Sequence, residues 1–119
     1  MLHKKRRWCV APVASPEDLA EKLTEHTWTG CTAFELSGYV FCNDATSADG
    51  AQEYAVLKPL DGDRFDQVES ITFSWCTRER ALELVRQVLA GTFDAERAFG
   101  EVEAKLEAPA EHGTCPLCA

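Results

Sequence analysis

Between Cys31 and Trp75 the chain reads as four strand-forming runs separated only by turns and short loops. Connections this short favour neighbouring antiparallel strands, because a parallel return needs a crossover of a dozen residues or more. Cys31 to Leu36 and Tyr39 to Asn43 flank Ser37-Gly38, a hairpin dipeptide weaker than Asn-Gly. Asp44 to Gly50 is small and polar and reads as a loop. Glu53 to Lys58 is the third run, ended by Pro59 and the turn cluster Leu60-Asp61-Gly62-Asp63. Val68 to Trp75 is the fourth. Alternation puts Ile71, Phe73 and Trp75 on one face and Thr72, Ser74 and Cys76 on the other.

The flanks supply helices. Trp8 to Val13 reads as a first strand, with Pro12 marking an edge or an end. Ser15 is a good N-cap, Pro16 suits the first helical position, and Glu17 and Asp18 complement the positive end of the dipole. Leu19, Ala20 and Leu23 form the apolar face of that helix, which should end near residues 25–27, with Gly30 closing the connection. Thr77 caps a second helix running to about Ala90, with Ala81, Leu82, Val85, Val88 and Leu89 as its stripe and Gly91 as C-cap. A third helix is predicted from Asp94, burying Ala95, Ala98, Phe99, Val102 and Leu106, and Pro109 stops it. Gly100 weakens that helix by about 1 kcal/mol relative to alanine. The expected order is β-α-β-β-β-β-α-α. It gives an α+β fold: an antiparallel or mixed sheet of about five strands, helices packed on one face, and a C-terminal tail pinned by zinc. A length of 119 residues favours one domain, residues 8–119, behind a basic tail, residues 1–7.

Charge narrows the partners. Four of the twelve basic residues lie at Lys4-Lys5-Arg6-Arg7 and all twenty acidic residues follow, so the body from Trp8 carries a net −12. Such a body repels phosphate backbones, and duplex nucleic acid is not an expected partner. The basic run could touch RNA or a membrane surface, but it is read first as a solvated tail or one attracted to the protein's own acidic surface. No apolar run approaches membrane-spanning length, and no apolar segment follows the basic run as in a secretory signal. A cytoplasmic location is therefore expected, with the six cysteines serving as thiols or metal ligands rather than as a disulfide framework.

The chain closes on His112-Gly-Thr-Cys115-Pro-Leu-Cys118-Ala119. Two thiolates at C-x-x-C spacing can face one tetrahedral ion from a single turn, and Pro116 suits a preformed turn. A structural zinc needs four ligands. His112 is the third candidate, and the fourth must come from Cys9, Cys31, Cys42, Cys76, His3 or His26. Cys9 and Cys76 each follow a tryptophan. If Trp8 and Trp75 face the helices, alternation turns these cysteines toward the other sheet face, where a returning tail can reach them. Cys9 is favoured, Cys76 next, and Cys42 reads as a small core hydrophobe. The predicted zinc ligands are thus Cys115, Cys118, His112 and Cys9. The competing view of the tail is a loose end bearing two thiols. A thiol–disulfide catalyst would place its C-x-x-C at a helix N-terminus, and only Ala119 follows Cys118 here.

Other constellations carry less. An EF-hand register on Gly50 would put Ala45 and Val56 at ligand positions, which excludes it. Glu35, Glu53 and Glu69 could face one another as paired carboxylates or simply be solvated strand positions. His26 could serve Cys31 as a base, but Gly30 intervenes and no geometry follows. Phosphate-binding glycine motifs, G-x-S-x-G and H-E-x-x-H are absent from the sequence. The expected function is a zinc-stabilised accessory or protein-interaction domain meeting a basic protein partner. The alternative is a small enzyme with a cysteine nucleophile or an open metal site.

Overall fold

The computed structural model describes residues 6–24, 32–46, 52–73, 77–97 and 99–107. The chain runs β1 (Arg6–Pro12), α1 (Pro16–Thr24), β2 (Thr32–Leu36), β3 (Tyr39–Thr46), β4 (Gln52–Pro59), β5 (Arg64–Phe73), α2 (Arg78–Leu89), a 3₁₀ turn (Ala95–Arg97) and β6 (Gly100–Glu107). The six strands close in sequence order into a barrel. β2 through β6 pair antiparallel with their neighbours. β1 is parallel to both β2 and β6, so the sheet is mixed.

Local sequence explains each turn of the path. Ser15 Oγ accepts from the Asp18 amide at 3.1 Å, and Asp18 Oδ2 accepts in turn from Ala14 N at 3.3 Å, which starts α1. Ser37 and Gly38 take φ of 53° and 85°, the pair of positive values that a type I′ hairpin turn requires. Thr77 Oγ1 accepts from Arg80 N at 3.2 Å to cap α2. At its other end Gly91 N donates to Val88 O at 2.9 Å and Thr92 N to Gln87 O at 3.2 Å, a Schellman closure made possible by a φ of 75° at Gly91. Arg86 of α2 reaches Glu17 of α1 at 3.0 Å across the helix pair.

Strand alternation sorts the apolar side chains into two layers. Trp8, Ala33, Val40, Cys42, Ala55, Leu57, Phe65 and Ala104 are buried together, with Val10, Val102 and Leu106 against them. These residues come from all six strands and fill the barrel lumen, small side chains beside large ones. The second layer joins Leu19, Ala20 and Leu23 of α1 and Ala81, Val85 and Val88 of α2 to Phe34, Phe41, Tyr54, Val56 and Ile71 on the outer face of β2–β5. Tyr54 through Leu57 are consecutively buried because β4 lies between the two layers.

Four sequence expectations are corrected. The third helix predicted from Asp94 is instead the 3₁₀ turn followed by β6, so the sheet has six strands rather than about five. Val102, Ala104 and Leu106 recur at intervals of two and enter the lumen, and Gly100 opens the strand at a φ of 88°. β3 continues through Thr46, into the segment expected to be a loop, by absorbing a bulge between Asn43 and Ala45. Trp8 faces the lumen, not the helix layer from which the placement of Cys9 was argued. β1 also begins at Arg6, within the basic run.

Candidate functional site

Cys9 occupies the seam of the barrel. It pairs with Thr32 of β2 on one side and with Glu107 of β6 on the other. Among the described residues, Arg6, Arg7 and Trp8 pair only with β6, and Val10, Ala11 and Pro12 only with β2. Cys9 is 3% exposed, and its sulfur is engaged in a disulfide. That differs from the expectation of thiols or metal ligands throughout. A disulfide sulfur is not a thiolate, so Cys9 can ligate zinc only after reduction. Cys42 carries no disulfide, so it is not the cysteine bonded to Cys9. Cys42 sits wholly buried in the lumen, the small core hydrophobe expected of it.

His112, Cys115 and Cys118 lie outside the described residues, as do Cys31, Cys76, Trp75, His3 and His26. No group of three or more metal-ligating side chains occurs among the described residues. The same boundary excludes the His26–Cys31 arrangement from view. Of the described helices, none is long and apolar enough to cross a membrane.

The three glutamates do not converge. Glu35 lies two residues from lumen-facing Ala33 and is exposed. Glu53 shares a face with Ala55, toward the lumen, and accepts a long 3.4 Å hydrogen bond from Ser70 Oγ. Glu69 pairs opposite Val56, on the helix side, where its Oε1 accepts from Ser70 N at 3.0 Å and stands 3.6 Å from Arg97. Two faces of a sheet separate Glu53 from Glu69, so they cannot share a proton or a substrate atom.

The structure instead assembles a charged outer wall that the sequence reading did not isolate. No β6 residue joins the helix-side layer. Outward from β6 stand the exposed Glu101, Glu103 and Lys105. Outward from the first half of β5 stand Arg64 and Asp66, beside the exposed turn residues Asp61 and Asp63. In register, Asp66 opposes Glu101 and Arg64 opposes Glu103. Arg64 donates to Glu101 Oε1 from Nε at 3.0 Å and Nη2 at 2.6 Å, and from Nη1 to Asp61 Oδ1 at 2.8 Å. The hydrogen bond from Glu101 and the charge of Asp61 raise the Arg64 pKa above its ordinary value, so it stays charged. One guanidinium thus answers two carboxylates, and Lys58 of β4 opposes Asp66 in register, so the exposed face keeps more carboxylates than cations. The signal available in the sequence was the strict alternation Glu101-Val-Glu103-Ala-Lys105-Leu-Glu107.

The chain matches no family model, no curated protein and no solved structure.

Proposed function

We propose that this chain is a small accessory domain, stabilised by zinc, that binds a basic protein partner through the β5–β6 wall. The observation that carries the binding role is the direct opposition of Asp66 and Glu101 on adjacent strands. Like charges directly opposite cost stability, and Arg64 on Glu101 with Lys58 opposite Asp66 on β4 offset that cost without removing the acidic excess of the wall. A partner presenting lysine or arginine side chains would relieve that cost on contact and would be steered by the surrounding carboxylates. The filled lumen supports the same reading, because apolar side chains occupy the space in which a larger barrel would hold a ligand. The barrel is then a rigid scaffold presenting its outer surface.

Zinc enters as the tie for the C-terminal tail. Cys115 and Cys118 supply two soft donors at the required spacing, His112 a third, and Cys9 in its reduced form the fourth. Four protein ligands would leave no open position, which makes the metal structural.

The binding role is tested with a synthetic lysine-rich peptide and paired charge reversals. Asp66→Lys with Glu103→Lys should lower peptide affinity about tenfold at low salt. Glu79→Lys with Glu83→Lys, on the exposed side of α2, makes the same change in net charge and should have a much smaller effect. Equal losses from both pairs would show non-specific attraction to net charge and remove the wall from the proposal.

A further inference from the structure

We infer that the second half of β5 is a strand-addition site, to be filled by an extended partner segment with alternating apolar and cationic side chains. The last rung between β5 and β6 is Gln67 opposite Gly100. Beyond it Val68 is the extra residue of a bulge against β4, and Glu69 to Phe73 pair with β4 alone among the described residues. The bulge thus divides β5 into a half held between two strands and a half with an open edge.

A second observation shows what that edge offers. Ser70 N donates to Glu69 Oε1 at 3.0 Å, so this amide points away from β4 and meets a carboxylate in place of a strand carbonyl. Backbone groups along a strand turn to alternate sides, which directs the amide and carbonyl of Thr72 to the same edge. Thr72 is exposed. Valine, isoleucine and threonine in this stretch suit a pleated strand, and neither proline nor lysine blunts it. Glu69 is its one charged residue, and its carboxylate guards the edge by holding the Ser70 amide.

The surroundings select the occupant. On the helix side Ile71, Leu84, Val88 and Phe93 line a crevice of about 40 Å³, which suits a small apolar side chain. Two carboxylates touch Ser70, Glu69 at its amide and Glu53 at its hydroxyl, and the described cation beside them is Arg97, 3.6 Å from Glu69. A partner strand's carbonyl would take the Ser70 amide and release Glu69 to pair with an incoming lysine or arginine. A second copy of this chain fits less well, because it brings its own Glu69 and a net charge of −8 to the same edge. The site lies beyond the last β6 rung and does not rest on the acidic wall.

The test uses the intact chain with a short capped peptide of alternating lysine and valine, and the same peptide N-methylated throughout as control. Methylation keeps the charges and side chains and removes every ladder donor of the peptide. Hydrogen exchange should show the Ser70 and Thr72 amides slowed about tenfold by the unmethylated peptide, with β2 amides little changed. The methylated control should bind at least about tenfold more weakly. Ser70→Pro removes the edge donor without touching the β4 ladder and should abolish the slowing at Thr72. Should that variant not fold, the two peptides on wild type decide the matter. Attraction to the wall alone would treat both peptides alike and leave Ser70 and Thr72 exchange unchanged. That result would overturn strand addition while leaving the wall standing. Slow exchange of both amides in the free monomer would show the edge already covered, and slowing that appears with dimer formation would assign it to a second copy. Either outcome would overturn the proposal.

Discussion

The indole Nε1 of Trp8 donates to the backbone carbonyl of Asn43 at 2.9 Å, tying β1 to β3 past the intervening β2. Asn43 is the residue at which the β3–β4 register shifts. The irregularity in that ladder thus lies where the β1 indole meets a β3 carbonyl. Trp8 is 5% exposed and packs among the apolar side chains of the lumen. The contact gives the indole a polar anchor and fixes how its ring fills the barrel.

Trp8→Phe keeps an aromatic ring in the lumen and removes that donor. The expected loss of stability is about 1–3 kcal/mol, the range for leaving a part-buried acceptor without its donor. Trp8→Ala should cost about 3–5 kcal/mol through the cavity it adds. Urea unfolding monitored by far-UV circular dichroism measures both. A Trp8→Phe variant as stable as wild type would show that the hydrogen bond contributes nothing net.

Gly100 separates the two readings of the C-terminal third by sign. In the helix predicted from Asp94, Gly100→Ala would stabilise by about 1 kcal/mol. In the barrel Gly100 has a φ of 88°, with no heavy atom within 4 Å of an added Cβ. The obstacle is backbone conformation rather than space, so Gly100→Ala should destabilise by about 1–2 kcal/mol. Melting temperature or urea midpoint reads the sign directly.

That segment also shows why part of the fold was hidden. Helix caps were visible because Ser15, Thr77 and Gly91 act through short-range hydrogen bonds that sequence alone can suggest. The Ser37-Gly38 turn was visible for the same reason. Residues 95–106 fit two periods at once: Ala95, Ala98, Phe99, Val102 and Leu106 at helical spacing, and Val102, Ala104 and Leu106 at alternate positions. The second pattern won because β6 closes the barrel between β5 and β1, a long-range gain that no local propensity reports. The charged wall was hidden likewise, since Asp66 and Glu101 become neighbours only through that closure.

Ala104 measures how tightly the lumen is filled. It is 1% exposed and packs in the layer that holds Trp8 and Phe65. Ala104→Leu should cost about 1–3 kcal/mol by overpacking, although leucine is favoured over alanine in strands. At the outward neighbour, Glu103→Gln should change stability by less than about 0.5 kcal/mol. Equal, small effects at the two sites would mean that the lumen has room to spare.

The zinc reading is tested through non-additivity. Protein purified with neither chelator nor added metal should contain about one zinc per chain by elemental analysis. Cys115→Ser with Cys118→Ser should lower the melting temperature by as much as chelation does, both measured in a non-thiol reductant so that Cys9 is available. If metal ligation ties residues 112–118 to the body, either perturbation should break that tie while the barrel and its helix layer survive on their own cores. Applied together, the two should do no more than either alone, because they remove the same link. A double variant that melts like wild type but is still destabilised by chelator would move the metal away from Cys115 and Cys118. Metal-free protein, with melting insensitive to both perturbations, would remove zinc from the proposal.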